Sequence, residues 1–266
     1  MAAEKQEAFS SLQDRISALE RSSWNVGGVT PSSAGNNDAD ANASTIIITP
    51  AMTRARRHTQ TSHCFSAIWR HCPSDYYSRS LDERVKILGA NNVSQLCKAC
   101  LFENKNYVCG AGAGAGEGEG KGGDDDKDKV DPTNSRYYLI VVQYIESITA
   151  KKLASELRGL RPPGSTRFSP TYFSDLRLAP ADESVKLTGY GHNGVSPFGM
   201  LDSTIPIVLC ASITKIRPQF IWMGGGHPDW KLGVSVSEFI EGLNAIVLDV
   251  SEPRANTLET EEISSA

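Results

Sequence analysis

Apolar residues along the chain fall into short runs and stripes that predict helices and strands in alternation. Residues 137–144 (YYLIVVQY) are nearly all apolar, which is typical of a central strand buried on both faces. Shorter apolar runs predict further strands at 96–103, 205–211, 219–223, 232–236 and 245–250. We therefore expect an α/β (α+β) domain in which helices cover a mixed sheet of about six strands.

Helix signals lie between these runs. The sequence Ser-Leu-Asp-Glu at 80–83 forms a capping box that predicts a helix as far as Leu88. Ser147 is expected to cap a second helix that ends near Gly159. A further short helix is predicted over 171–176, after a proline-rich bend.

The first 52 residues have a pattern unlike that of the rest of the chain. Over 1–21, four apolar residues recur at spacings of three, four and three, which predicts an amphipathic helix: Phe9, Leu12, Ile16 and Leu19. Because so short a helix is marginal on its own, we expect it to bind a partner protein or to dock on its own domain. Residues 22–52 are rich in Gly, Ser, Asn and Ala and predict a flexible linker.

A low-complexity segment interrupts the predicted folded domain, which extends over 53–250. Residues 110–131 hold eight glycines and ten charged residues, so they bury too little apolar surface to offset the entropy of ordering. They predict a disordered insertion between two strands. A phosphate-binding loop needs Ser or Thr after its lysine, and Lys121 is followed by glycine. Residues 251–266 predict an acidic tail.

The charges are unevenly distributed over these segments. The formal net charge is −4, yet 53–109 and 132–250 together hold 20 basic and 14 acidic residues. This basic part favours a polyanionic partner, although an ordinary solvated surface with excess bases is the alternative. No apolar run is long enough for a membrane helix, and residues 1–10 lack the apolar core of a signal peptide. The six cysteines are therefore expected to be thiols in the cytoplasm.

Two glycine-rich runs contain the candidate chemistry. Residues 187–199 (LTGYGHNGVSPFG) combine four glycines with an asparagine and a proline, which predicts a loop with left-handed backbone positions. Such a loop can direct N–H groups at a ligand; an elaborate turn between a helix and a strand is the alternative. The run at 222–230 (WMGGGHPDW) predicts a second tight loop.

The string TGYGHNGVSPFG, with APADESVK before it, resembles the YbaK/prolyl-tRNA synthetase-associated family of aminoacyl-tRNA editing domains. Lys98, in LCKACLFE, matches the lysine that this family carries on an early strand, usually within K-T-L. The segments IPIVLCAS and FIWMGGG resemble the next two strands of the family, the second of which ends in a glycine pair. The resemblance covers roughly 80–250 and is interrupted by the insertion at 110–131.

The resemblance implies a barrel-like mixed sheet surrounded by helices, and hydrolysis of an amino acid wrongly esterified to the 3′ end of tRNA, without a metal or an organic cofactor. Backbone groups of the loop would place water and stabilise an oxyanion, and the lysine would hold a phosphate or the ribose of the terminal adenosine. The implied catalytic residues are Lys98, Asn193, Gly194, Ser196 and Pro197. The implied substrate-binding residues are Thr188, Gly189, Tyr190, His192, Val195, Gly225 and Gly226.

The sequence departs from the family pattern at three positions. Asn193 stands where the loop commonly has the first glycine of G-G-x-S-P, and asparagine tolerates a left-handed backbone better than most residues. Cys210 replaces an Asp that is common at the end of its strand, and Ala99 replaces the Thr after the lysine. These departures bear on rate and amino-acid specificity more than on fold.

Other residue groups suggest weaker alternatives. Cys97 and Cys100 form a single C-x-x-C on a predicted strand, which disfavours a zinc or redox site. His192 and His227 are candidates for a general base and its partner. Four residues near position 70 are candidate metal ligands, although the two cysteines are better explained as buried small side chains on a helix with Trp69: His63, Cys64, His71 and Cys72.

The favoured function is a free-standing, trans-acting aminoacyl-tRNA deacylase in translation quality control, with tRNA as its partner. The alternative is a catalytically weak tRNA-binding or scaffold subunit, attached to a tRNA synthetase assembly through residues 1–21. The two hypotheses differ at Lys98 and Asn193, because a hydrolase needs both residues and a scaffold needs neither.

Overall fold

The structure, a computed structural model, describes residues 48–109, 132–161 and 168–254. The predicted amphipathic helix, nearly all of the predicted linker, the insertion at 110–131 and most of the acidic tail lie outside the described residues. No helix in the described part of the chain is long and apolar enough to cross a membrane.

Helices and strands alternate along the described residues. The helices are α1 (Pro50–Thr61), α2 (Leu81–Leu88), α3 (Ala150–Gly159), α4 (Ala181–Thr188) and α5 (Val236–Leu243). The strands are β1 (Ile68–His71), β2 (Cys97–Asn104), β3 (Tyr137–Gln143), β4 (Glu146–Ile148), β5 (Leu176–Leu178), β6 (Ile207–Cys210), β7 (Phe220–His227), β8 (Trp230–Ser235), β9 (Ile246–Leu248) and β10 (Ser251–Pro253). Short 3₁₀ turns lie at Tyr76–Ser78, Val93–Gln95 and Ala211–Lys215.

A five-stranded mixed sheet in the order β5-β2-β3-β6-β9 forms the centre of the fold. Strand β2 runs antiparallel to β3 and β5, whereas β3, β6 and β9 run parallel to one another. Strand β3 lies in the middle, and Tyr138, Leu139, Ile140, Val141 and Val142 have no exposed surface. The prediction of a central strand at 137–144 is therefore confirmed.

Two further sheets complete the architecture. Strands β1, β8 and β7 form an antiparallel sheet, and β4 pairs with β10. One continuous core joins the three-stranded sheet to the five-stranded sheet. The predicted α/β class with a mixed sheet is confirmed, although the strands form three sheets rather than one closed barrel.

One predicted helix start is confirmed, and two are wrong. At α2, Ser80 and Glu83 form the reciprocal capping box, and Gly89 ends the helix in the left-handed conformation. Ser147 instead lies in β4, and helix α3 begins only after Thr149. Residues 171–176 form successive i→i+3 turns and the start of β5, because the aromatic rings at 168, 172 and 173 pack on one another there.

Helix α1 is an element that the sequence pattern did not predict. Thr49 accepts a hydrogen bond from the N–H of Met52, and Pro50 occupies the first turn, so the helix start has a regular cap. Met52 and Ala55 are fully buried in the core. The domain boundary expected at residue 53 therefore falls inside this helix.

Two other predictions change at the three-stranded sheet. Trp69 lies on strand β1 rather than on a helix with Cys64 and Cys72. Both cysteines are buried as expected, and burial raises the pKa of each thiol to about 11. Glycines 224–226 belong to strand β7, and the turn of the β7–β8 hairpin lies at Pro228 and Asp229.

Candidate active site

A cavity of about 870 Å³ lies where strand β2 meets the loop that follows helix α4. We call it the β2 cavity. Residues 97–101 of β2 form one wall, and most of the segment 190–195 lines it together with Gly224 of β7. Further lining residues come from 178–185 and from Arg254 after strand β10, and the remaining wall is formed by Tyr77, Leu81, Arg84 and Tyr144.

Lys98 is the cation on the β2 wall of this cavity. It pairs with Val142 across the ladder and is half-buried. Burial lowers the pKa of its ammonium group; Cys100 partly opposes this effect, and the charge of Arg254 adds to it. No carboxylate or other acceptor among the described residues holds this ammonium group. A half-buried cation without an internal partner is suited to an anionic or polar group of a ligand.

The loop from Gly189 to Gly199, which we call the candidate loop, provides the facing wall. It contains left-handed residues at Gly189, Asn193 and Gly199, with φ of 74°, 63° and 71°. The predicted left-handed positions in this run are confirmed. Asn193 lies where the family pattern has glycine, and its backbone adopts the conformation that asparagine tolerates.

Helix α1 holds both ends of the candidate loop. Arg54 donates hydrogen bonds to the carbonyl of Gly189 at 3.0 Å and to the carbonyl of Gly199 at 2.5 Å. One turn later, Nδ1 of His58 accepts a hydrogen bond from the N–H of Gly199 at 2.7 Å. Burial lowers the pKa of His58, which favours the neutral imidazole that can accept this bond.

Tyr190 braces the candidate loop from within. Its single hydroxyl proton is shared between the carbonyl oxygens of Phe198 and Gly199, and the guanidinium of Arg54 lies 5.0 Å from the centre of its ring. Burial raises the pKa of Tyr190 to about 12, although Arg54 lowers it in part. The phenol therefore stays protonated near neutral pH and keeps both bonds.

Strand β7 contacts the middle of the candidate loop through its glycines. A Cβ atom on Gly224 would overlap the carbonyl oxygen of Val195. The N–H of Gly226 donates to the carbonyl of Gly194 at 3.1 Å, and Gly226 itself has φ of 90°. Only glycine at 224 lets the strand approach the loop this closely. Gly226 is required for a different reason, because its φ is positive and a Cβ atom there would lie 3.2 Å from the backbone of Met52 in α1.

The structure brings five of the sequence-predicted site residues together as lining of the β2 cavity: Lys98, Tyr190, His192, Asn193 and Val195. The other seven lie outside this lining: Thr188, Gly189, Gly194, Ser196, Pro197, Gly225 and Gly226.

Two of these seven residues form hydrogen bonds within the loop or with helix α4. Thr188 donates to the carbonyl of Ser184 and accepts from the N–H of Tyr190, so it joins α4 to the loop. Ser196 is buried and accepts from the N–H of Phe198. Both side chains thus shape the loop from behind the cavity.

Within the described residues, no hydrogen bond or ring contact joins the members of the other candidate groups. His192 is exposed, and Nδ1 of His227 accepts a hydrogen bond from the N–H of Asp229 in the hairpin turn. Cys97 and Cys100 both line the cavity, and burial raises the thiol pKa of each. The described residues contain no group of three or more His, Cys, Asp or Glu side chains that could hold a metal ion.

Sequence reasoning missed three residues that contact the candidate loop. Arg54 and His58 lie in helix α1, more than 130 positions before their loop partners, and Tyr77 lies in a 3₁₀ turn. The Thr-Pro pair at 49–50 was a usable signal for the helix itself. No local pattern shows that its arginine and histidine reach the loop.

Comparison with known proteins gives a likeness in fold. No protein-family model matches the chain, and no curated protein matches it. A solved structure from work on grafting epitope backbones onto scaffold proteins by computational design has a TM-score of 0.52 and 19% identity, covering 78% of this chain and all of its own. A crystal structure of a candidate trans-editing enzyme for prolyl tRNA synthetase has a TM-score of 0.53 and 20% identity, covering 77% and 99%. At this identity the likeness shows a shared fold.

Proposed function

We propose that this protein is a trans-acting aminoacyl-tRNA deacylase, which acts in the cytoplasm and hydrolyses the ester of mischarged tRNA. The observation that carries the proposal is that Lys98 and the candidate loop line one cavity, and that this half-buried cation has no acceptor within 48–109, 132–161 and 168–254. The shared fold with a candidate trans-editing enzyme and the sequence motif of the loop support it.

The reaction needs little from side chains. Water adds its oxygen to the ester carbonyl carbon, the bond to the ribose oxygen breaks, and that oxygen leaves with a proton. The products are the free amino acid and tRNA with a free hydroxyl. Because the ester is already activated, positioning and oxyanion stabilisation supply most of the required catalysis.

Backbone N–H groups of the candidate loop supply the oxyanion donors in this proposal. The N–H groups of Asn193 and Val195 donate to no acceptor within the described ranges, and both residues line the cavity. One preorganised donor of this kind contributes about 10²–10³-fold to the rate of characterised hydrolases.

Lys98 binds the substrate in this proposal. Its ammonium group would form a charge-assisted hydrogen bond with a phosphate or the ribose of the acceptor end. Arg254, which also lines the cavity, adds a second positive charge on this side. The positive charges of Lys98 and Arg254 would attract the phosphate backbone of tRNA.

A panel of mischarged tRNAs incubated with the full chain tests the proposal. We expect hydrolysis of at least one member, with loss of at least 10²-fold in kcat/KM for Lys98→Ala. Lys186→Ala is the matched control, because Lys186 is an exposed lysine on α4 and should leave kcat/KM unchanged. Binding of tRNA without hydrolysis of any member would refute the deacylase and support the scaffold alternative.

Residues 1–21 supply the partner contact in this proposal. The predicted amphipathic helix would join the protein to an aminoacyl-tRNA synthetase or a synthetase assembly. Its apolar stripe is too short for a stable homodimer, which favours a larger partner.

A further inference from the structure

Lys231, on strand β8, is a buried lysine with an unusual set of partners. Only 3% of its surface is exposed, and none of the ion pairs within the described ranges includes it. Its ammonium group donates to the hydroxyl of Tyr77 at 3.0 Å and to the carbonyl of Pro228. It also lies 4.7 Å from the ring centre of Tyr76 and 4.4 Å from that of Tyr77. Burying a cation in this way is costly, which indicates a specific task for the group.

Tyr77 connects this lysine to the candidate loop. Its hydroxyl donates to the backbone carbonyl of Asn193 at 2.6 Å. Arg84 of helix α2 holds the turn in place by donating to the carbonyl of Tyr77 at 2.6 Å. A continuous chain of hydrogen bonds therefore runs from the ammonium group of Lys231, through the phenol, to the loop.

The charge of Lys231 determines which group donates and which accepts in this series of hydrogen bonds. An ammonium group has three donors and no lone pair, so the phenol oxygen must accept from it. The single proton of the phenol is then available for the carbonyl of Asn193. A neutral amine could accept that proton instead, and the bond to Asn193 would lose its fixed direction.

The carbonyl of Asn193 is a sensitive point in the loop. Asn193 is a non-glycine residue in the left-handed region, which costs energy unless the surroundings hold it. The same peptide unit is held at its other end, because the N–H of Gly194 donates to the carbonyl of Gly191 at 3.1 Å. The next peptide unit, which carries the N–H of Val195, is held separately, because the carbonyl of Gly194 accepts from the N–H of Gly226 at 3.1 Å. Two adjacent peptide units of the loop are therefore fixed by hydrogen bonds.

We propose that Lys231 and Tyr77 are positioning residues for the candidate loop, which hold the carbonyl of Asn193 and thereby fix the course of the loop backbone along the wall of the β2 cavity. The inference rests on the proposed deacylase function for its kinetic readout. Its structural readout stands independently of that function.

The positioning predicts a fall in rate on the alkaline side of neutrality. Burial lowers the pKa of Lys231 to about 8; Cys72 and Asp229 oppose this effect, and Arg84 adds to it. The other titratable groups near the amine are the phenols of Tyr76 and Tyr77, together with Tyr144, which is hydrogen-bonded to Tyr77. Burial and then Tyr144 and Tyr76 raise the pKa of Tyr77, and Arg84 lowers it in part, so Tyr77 stays protonated. Therefore kcat should decline as pH rises through about 8, after subtraction of the rate without protein.

Kinetics of three variants of the full chain test the positioning role. Tyr77→Phe removes the hydroxyl alone, and Lys231→Met removes the charge at similar volume. Each should lower kcat about tenfold or more with KM within about twofold, and the double variant should lose no more than either single one. Lys231→Met should also lose the alkaline decline. Tyr172→Phe is the control, because the Tyr172 hydroxyl bonds to Asn134 and Val108 away from the cavity.

Hydrogen exchange at the amide of Gly194 gives a readout that needs no substrate. Both single variants should raise its exchange rate about tenfold or more, while amides of β3 keep theirs. Wild-type kcat in Tyr77→Phe, or unchanged Gly194 exchange in both variants, would overturn the inference. Exchange that rises evenly over the whole domain would also overturn it, since that result indicates a purely structural role. If the wild type hydrolyses no mischarged tRNA, the proposed function fails, and Gly194 exchange alone decides the positioning role.

Discussion

Replacing His58 by alanine tests how firmly helix α1 holds the candidate loop. In the wild type, Nδ1 of His58 accepts a hydrogen bond from the N–H of Gly199 at 2.7 Å. Its ring also contacts the ring of Phe198 edge-on, with centroids 5.9 Å apart. Gly199 is buried, so the alanine variant leaves its N–H without an acceptor.

The size of the effect follows from these two contacts. A buried donor that loses its partner costs about 1–3 kcal/mol, and an edge-on ring contact adds about 0.5–1.5 kcal/mol. The expected loss for His58→Ala is therefore about 1.5–4.5 kcal/mol in the free energy of unfolding. For a domain of this size, that corresponds to a fall in Tm of roughly 3–18 °C.

The hydrogen bond between His58 and Gly199 also predicts how the free energy of unfolding depends on pH. The pKa of His58 is lowered in the folded protein by burial, so the unfolded chain takes up the proton first as the pH falls. The stabilising contribution of the neutral imidazole is thus complete above about pH 6.5, the ordinary pKa of histidine. It declines as the pH falls from there, because protonated Nδ1 can no longer accept from Gly199.

Thermal unfolding followed by circular dichroism between about pH 5 and 8 measures both effects. His58→Gln, which can still accept through its amide oxygen but does not titrate, should recover part of the lost Tm and remove part of the acid-side slope. His192→Gln is the matched control, because His192 is an exposed histidine of the same loop. A Tm loss below about 1 °C in His58→Ala, or an unchanged acid-side slope in His58→Gln, would refute the reasoning.

Two further predictions concern the loop contact and the N-terminal boundary. Gly224→Ala should lower Tm by several degrees, because the added methyl group would overlap the carbonyl of Val195. Gly159→Ala is the control, and it should leave Tm unchanged or slightly higher because the space around Gly159 is open. Equal Tm values in the two variants would contradict this prediction. A chain that starts at residue 46 should keep the Tm of the full chain and its deacylation rate on free tRNA, yet lose co-purification with partners. A chain that starts at residue 53 should melt earlier, because it lacks the Thr49 cap, which contributes about 1 kcal/mol, and the fully buried Met52, whose loss costs about 2–5 kcal/mol. Equal Tm values of the two truncated chains would show that the first turn of α1 does not stabilise the domain.

The parts of the fold that the sequence predicted are those governed by local physics. The apolar run at 137–144 could only be satisfied by a strand with neighbours on both sides, and β3 is the middle strand. The capping box at 80–83 satisfies its own backbone donors, so α2 begins where the pattern indicates. Left-handed backbone at Asn193 follows from the tolerance of asparagine for that conformation.

The parts that the sequence did not predict depend on contacts between distant segments. Arg54 and Gly199 are 145 positions apart, and Lys231 and Tyr77 are 154 positions apart. In the sequence, Arg54 is one of several basic residues in a polar stretch, and Lys231 follows a hairpin turn as a surface lysine commonly does. Their burial depends on which elements pack together, and hydrophobic periodicity carries no information on that.

The candidate loop is held from three directions, so its conformation depends on few of its own side chains. Helix α1 fixes its ends, Tyr77 holds the carbonyl of Asn193, and the glycines of β7 contact its middle. Once the path of the backbone is set from outside, the loop needs particular residues only where φ is positive or where space is lacking. Asparagine can then replace glycine at 193, because the surroundings hold the strained conformation. The residues that hold the loop thus lie largely outside the glycine-rich run itself.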